Sequence, residues 1–239
     1  MKNGIVHRLE PVTLIGGGDG TLVDVAEALA LAPTCVAADG GARLALSAGA
    51  DPVAVIGDFD SLDPDTRSRI PADRQFPIAE QDSTDFEKAL SRIDAPLVLA
   101  VGFTGARIDH QLGVLHVLVR YPDRPCIVIG PQEILLVSPP EIELPCLPEE
   151  TVSIFPMGRV SGASRGLRWP VDGLVFDPMT QIGTLNAAEG PVWMRWDAPA
   201  AVLVLPRRLL GYVTRVLASA PSSARWPARA ELYRGPQQS

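Results

Sequence analysis

The 239-residue sequence is poor in cysteine and histidine and has no long apolar run, and each shortage removes a class of function. Cys35, Cys126 and Cys146 are odd in number and form no Cys-x-x-Cys, so neither a disulfide framework nor a zinc cluster is suggested. Cys35 and Cys126 lie in apolar runs and read as buried free thiols of a reducing compartment, expected to be the cytoplasm. His7, His110 and His116 show no metal-ligand spacing, and His116 falls within a helical stripe. No apolar stretch approaches a membrane span, and the opening MKNGIVHRLEP lacks the apolar core of a signal peptide. Positive charge is in deficit. Lys plus Arg total 21 against 28 Asp plus Glu, a formal net charge of −7. Such a surface repels a phosphate backbone, which argues against a general nucleic-acid binder and leaves a local phosphate pocket open. GxGxxG is missing, which removes the NAD-dependent oxidoreductase that Gly16-Gly17-Gly18 would otherwise suggest. The Lys-Ser/Thr of a P-loop is missing as well.

Hydrophobic residues make up 46% of the chain, enough for a sizeable core. In the first half, short apolar runs alternate with helical periodicity. Strands are expected at Pro11–Ile15, Cys35–Ala38, Val53–Ile56, Gln75–Ala79, Leu97–Phe103 and Cys126–Ile129. Helices are expected at Thr21–Ala32, Ala42–Ala48, Asp85–Ile93 and His110–Arg120, the last with Leu112, Leu115 and Val119 on one stripe. This alternation implies an α/β fold with a doubly wound, mostly parallel sheet. After about Gly130 helical periodicity nearly vanishes. Short strands are expected at Ile134–Val137, Val152–Phe155, Leu167–Trp169, Leu174–Phe176, Val192–Trp196 and Ala201–Leu205, as in a β-sandwich or small barrel. Val192, Met194 and Trp196 would share one buried face. The division is then 1–130 as an α/β domain, 131–220 as an all-β domain and 221–239 as a loosely held tail.

Acids gather where the first-half strands end, the place where doubly wound sheets bind ligands. Asp39, Asp58 and Asp60 all fall there. Asp58 and Asp60 are two apart, so in an extended segment they share a face and repel unless a cation sits between them. Turn capping is the plain alternative. An Asp-x-Asp-Ser directly after an apolar strand favours a hard, oxygen-loving ion such as Mg²⁺. In Asp82-Ser83-Thr84-Asp85-Phe86-Glu87-Lys88, Thr84 and Glu87 have the spacing of a capping box. That leaves Asp85 as a first-turn acid and Asp82 unexplained. A helix start that presents amides and carboxylates together also suits a metal–phosphate complex. In the next segment Asp109 reads equally as an N-cap, and Arg107 in a Gly-containing loop as a phosphate clamp. Trp169, Trp193 and Trp196 read first as core.

Four blocks taken together resemble the thiamine pyrophosphokinase family: Asp39-Gly40-Gly41-Ala42, Gly57-Asp58-Phe59-Asp60-Ser61, Ser83-Thr84-Asp85-Phe86-Glu87-Lys88-Ala89-Leu90 and Gly105-Ala106-Arg107-Ile108-Asp109-His110. Gly166-Leu167-Arg168-Trp169 and Gly183-Thr184-Leu185-Asn186 are similar to two further family segments. Leu185 stands where the family often has Ser, and Ala106 where it often has Gly. The resemblance implies an ATP-dependent diphosphotransferase that makes thiamine diphosphate and AMP from thiamine. It implies Mg²⁺ held by Asp58, Asp60 and Asp85, with Lys88 and Arg107 on phosphates. Asp39, Gly40, Gly41 and Gln81 would line the nucleotide site, and Asp109 would orient or deprotonate the hydroxyl. Trp169 and Asn186 would hold the organic substrate, whose cationic ring suits an acidic, aromatic-lined pocket. The family also implies a homodimer with active sites at the subunit interface. Two rivals remain open: a related diphosphokinase acting on another alcohol such as a hydroxymethylpterin, and a non-catalytic nucleotide or thiamine sensor.

Overall fold

The computed structural model describes residues 4–105 and 107–229. Ala106 of the fourth block and the last ten residues of the expected tail lie outside them. The chain divides into two compact units. One is the chain up to Val117 together with Cys126–Gly130; the other is Leu118–Pro125 together with the chain from Pro131.

The first unit contains β1 (Val6–His7), β2 (Val12–Ile15), α1 (Leu22–Leu31), β3 (Thr34–Ala38), α2 (Gly41–Ser47), β4 (Ala54–Gly57), α3 (Pro64–Ser68), β5 (Gln75–Pro77), α4 (Asp85–Leu90), β6 (Ile93–Asp94), β7 (Val98–Val101), most of α5 (Ile108–Arg120) and β8 (Cys126–Ile129). Its main sheet is parallel throughout, in the order β5-β4-β3-β2-β7-β8. β2, β4, β7 and β8 are buried along their whole length, as are the last four residues of β3. Parallel strands covered on both faces lose the polar alternation of a half-exposed strand, which is why these read as unbroken apolar runs. The chain steps outward from β2 through β3, β4 and β5, then returns to the other side of β2 as β7. The strand order therefore reverses at β2, and a ligand crevice is expected at the carboxyl ends there.

Two helix expectations need correction. α4 stops at Leu90, and Ile93 instead pairs Val6 in the small parallel sheet β1–β6. α5 begins at Ile108, so Asp109 is a first-turn residue and not the N-cap. Its buried stripe is Val114, Val117 and Leu118 with Val119; Leu112 and His116 are exposed.

The second unit is antiparallel: β9 (Glu133–Val137), β10 (Glu141–Leu144), β11 (Thr151–Pro156), β12 (Val160–Leu167), β13 (Val175–Phe176), β14 (Gly183–Trp196) and β15 (Ala201–Pro206), followed by α6 (Leu210–Ser219). β14 is long enough to serve twice. Its first residues pair β11, and its last lie between β10 and β12. Val192, Met194 and Trp196 are buried on one face as expected. Leu167 ends β12, so Leu167–Trp169 is not a strand of its own. α6 was not foreseen. It buries Leu210, Val213, Thr214 and Leu217. Beyond it, Trp226 Nε1 donates to the Ser138 carbonyl at 2.7 Å and Arg229 Nε to the Val119 carbonyl at 3.1 Å, which ties down the chain as far as Arg229.

Candidate active site

Four loops leave the carboxyl ends of the parallel strands and meet. Gly16-Gly17-Gly18 follows β2 and packs against the loop after β7. The Gly18 amide donates to the Gly102 carbonyl at 2.8 Å, and a Cβ on Gly16 would stand 2.6 Å from that oxygen. A side chain there would part the two loops, so these glycines serve close backbone packing. Gly41 is held to glycine for the same reason, since a Cβ would come within 2.1 Å of the Ile15 carbonyl oxygen.

Asp39 follows β3 and is 2% exposed. Its backbone is left-handed, φ 41°, a conformation that non-glycine residues adopt at a cost and chiefly at functional sites. Oδ2 accepts the Ser61 amide at 3.1 Å, while the buried Oδ1 has no hydrogen-bond partner. Burial, with the charge of Asp85 added, raises its pKa above the ordinary carboxylate value.

Asp58 and Asp60 follow β4 with Phe59 between them. The segment is not extended. Phe59 has φ 67° and packs on the core cluster of Ala37, Ala42, Val55, Leu62 and Ile70. The two carboxylates converge because an aromatic anchor forces a left-handed turn, and not by strand alternation. One carboxylate oxygen each from Asp39, Asp58 and Asp60 lies within 4.8 Å of the others. Three hard oxygen donors fit a hard divalent cation, and Asp39 has in addition a buried Oδ1 without a hydrogen-bond partner. The geometry thus groups Asp39 with the Asp58–Asp60 pair and sets Asp85 to one side.

Asp85 and Lys88 come from α4. Thr84 is its N-cap, and Thr84 Oγ1 accepts the Glu87 amide at 3.3 Å. Phe86 packs on Phe103 of the β7 loop with ring centroids 4.7 Å apart, which fixes the helix over the crevice. Lys88 Nζ donates to Asp58 Oδ2 at 2.6 Å and reaches Asp85 Oδ1 at 3.4 Å. The Lys88 hydrogen bond holds Asp58 below the usual carboxylate range. Burial raises Asp85 despite Lys88. For Lys88, burial acts downward, but the Asp58 hydrogen bond and the Asp85 charge outweigh it, and the ammonium lies above the usual lysine range. Gln81 Nε2 donates to Asp58 Oδ2 at 3.3 Å, while Asp82 is exposed and donates its amide to Glu80.

Arg107 and Asp109 form an exposed bidentate pair, Nε to Oδ1 at 3.1 Å and Nη2 to Oδ2 at 2.5 Å. This pair brings the Asp109 carboxyl down to about 2. A cavity of about 510 Å³ opens among these loops. Its walls include Asp39, Gly40, Asp58, Asp85 and Lys88, with Gln81 and Arg107. Sequence reasoning missed Arg43, Ser61 and Phe103 on the same wall. Arg43 was within reach of it, two residues past the Gly40-Gly41 turn.

Trp169 and Asn186 stand in the second unit, beside a separate hollow of about 400 Å³ that Leu185 also lines. Trp169 is 58% exposed, so it is not core. Asn186 is 7% exposed and its amide is engaged: Oδ1 accepts from the Trp169 and Ala187 amides, and Nδ2 donates to the Trp169 carbonyl at 2.7 Å. Asn186 therefore latches Trp169 in place. Leu185 has φ 62° and is 75% exposed.

Residues 25–129 match the model of the thiamin pyrophosphokinase catalytic domain. Thiamine pyrophosphokinase 1 of Oryza sativa subsp. japonica is 26% identical over 157 residues, 58% of this chain and 60% of that protein. Thiamine pyrophosphokinase of Bacillus subtilis (strain 168) is 31% identical over 120 residues, 47% of this chain and 56% of that protein. The chain thus spans somewhat over half the length of the curated relatives it matches. The crystal structure of thiamine pyrophosphokinase from Bacillus subtilis superposes with a TM-score of 0.67 at 21% identity, covering 82% of this chain and 98% of that one, and so shares the fold. The family model and both curated relatives carry the thiamine pyrophosphokinase name over part of this chain, and the solved structure of that name shares its fold.

Proposed function

We propose that this protein transfers the terminal diphosphate of ATP to the hydroxyl of thiamine, giving thiamine diphosphate and AMP. One observation carries the reading: three carboxylates within 4.8 Å of one another, next to a buried lysine, at the mouth of parallel strands over a cavity of about 510 Å³. That is the arrangement a metal-bound polyphosphate needs.

Asp39, Asp58 and Asp60 would hold Mg²⁺, with Asp85 close by. Bound there, the ion supplies positive charge against the negative charge on the transferring group. Gly40 and Gln81 line the nucleotide pocket. Lys88 and Arg107 are the cations for the phosphates. The thiamine hydroxyl oxygen attacks the β-phosphorus, the bond from that phosphorus to the bridging α,β-oxygen breaks, and AMP leaves with the bonding electrons. Asp109 receives or directs the hydroxyl proton. Its pairing with Arg107 makes it a weak base, so it serves best once Arg107 has turned to phosphate. Trp169, latched by Asn186, offers a face to the thiamine rings. The protein works as a cytoplasmic homodimer with active sites at the subunit interface.

The test is product analysis with ATP, Mg²⁺ and thiamine. AMP and thiamine diphosphate should form in equal amounts. ADP with thiamine monophosphate would mean that the wrong phosphorus is attacked and would refute the reading.

A further inference from the structure

The chain has only two lysines, Lys2 and Lys88, against nineteen arginines. Among the described residues every other basic side chain besides histidine is an arginine. Lysine is kept for one place in the described structure, and there its side chain is 2% exposed. A guanidinium is broad and planar, whereas an ammonium is a compact point charge about as demanding of space as a small ion. The Lys88 ammonium lies between two carboxylates, 2.6 Å from Asp58 and 3.4 Å from Asp85. Asp58 is also a member of the Asp39–Asp58–Asp60 cluster. Removing the buried ammonium would leave the partly buried Asp58 and the part-exposed Asp85 facing one another with no charge between them.

We propose that Lys88 is a resident stand-in for the divalent ion. Its ammonium keeps Asp58 and Asp85 in place while no metal is bound, and a metal entering the cluster does so against that charge. Lys88 is in this sense a positioning residue that exchanges some metal affinity for a folded, ready site. The inference rests on the metal site of the proposed function and not on its acceptor.

The experiment uses full-length protein stripped with chelator, with neither nucleotide nor thiamine present. Wild type, Lys88→Met and Asp58→Asn/Lys88→Met are compared by thermal melting and by Mn²⁺ binding followed by electron paramagnetic resonance. Metal-free Lys88→Met should melt lower than wild type. It should bind Mn²⁺ roughly tenfold more tightly, because the repulsion between two nearby cations is gone. Added Mn²⁺ should then raise its melting temperature more than that of wild type. The double variant should regain much of the lost melting temperature. An unaltered metal-free melt, or Mn²⁺ binding that is equal or weaker, overturns the proposal. If Lys88→Met does not fold without metal, refolding with Mn²⁺ or in the double variant supports the proposal; failure of both leaves Lys88 a packing residue and overturns it. Absence of Mn²⁺ binding in wild type as well as the variant would remove the metal site itself, whereas equal binding in both removes this inference alone.

Discussion

A carboxylate that accepts two guanidinium hydrogen bonds is slow to take up a proton. Asp109, held at about 2 mainly by the Arg107 hydrogen bond, should show this directly. Its folded value lies below its unfolded one, so the stabilisation it contributes is present above about pH 4 and is lost as pH falls toward 2. Carboxyl NMR titration should place the Asp109 midpoint near 2 in the wild type and near the ordinary value in Arg107→Ala. A wild-type midpoint near 4 would show that the pair does not form in solution. The Asp58–Asp60 pair was legible from spacing alone, although the reason given for it, an extended segment, was wrong; the left-handed Phe59 brings the two together. Asp39 was legible beside them at the strand ends, but not as a third partner around the same ion. Its place depends on its own left-handed backbone and on Gly57 across from it, where a Cβ would come within 2.7 Å of the Asp39 Cβ. No pattern within one strand announces a contact made between two.

Elements whose burial is uniform were the easiest to foresee. β4 and β8 differ from their expected spans by at most a residue at either end, because buried parallel strands leave an unbroken apolar run. α6 lies inside the region that reads as all-β, although Leu210, Val213, Thr214 and Leu217 are spaced as a helix requires; the strand-rich residues before it mask that spacing. The long β14 was seen only as its last five residues, Val192–Trp196. Its first part carries Leu185 and Asn186 at an irregular join with β11, where the register shifts between Val152 and Ile154, and strand alternation is lost. Asn186 links β14 to the end of β12 through both atoms of its amide. Asn186→Ala should therefore lower stability by about 1–3 kcal/mol, the usual consequence of leaving buried polar groups unpaired. By freeing Trp169 it should weaken thiamine binding while leaving ATP binding unchanged. Calorimetry with each ligand decides this. Loss of ATP affinity with thiamine affinity intact would reverse the assignment of ligands to units.

For the molecule as a whole, the sequence reads as an α/β domain followed by an all-β domain; the first compact unit is α/β, whereas the second adds α6 to its strands. The homodimer we propose should sediment at twice the chain mass at micromolar concentration, and a stable patch would bury about 800 Å² or more on each partner. A fully active monomer under those conditions would exclude shared sites. The expected join at residue 130 is less simple than a single boundary, because Leu118–Pro125 belongs to the second unit while Cys126–Gly130 returns to the first. No single cut in the gene separates the two. A break after Val117 deprives the parallel sheet of β8, and a break after Gly130 leaves Leu118–Pro125 attached to the wrong piece. During synthesis the first unit must wait for its outermost strand until residue 129 has left the ribosome. By then Leu118–Pro125 has already emerged, ahead of the rest of the unit to which it belongs. The two halves are therefore bound to be inherited, and made, together.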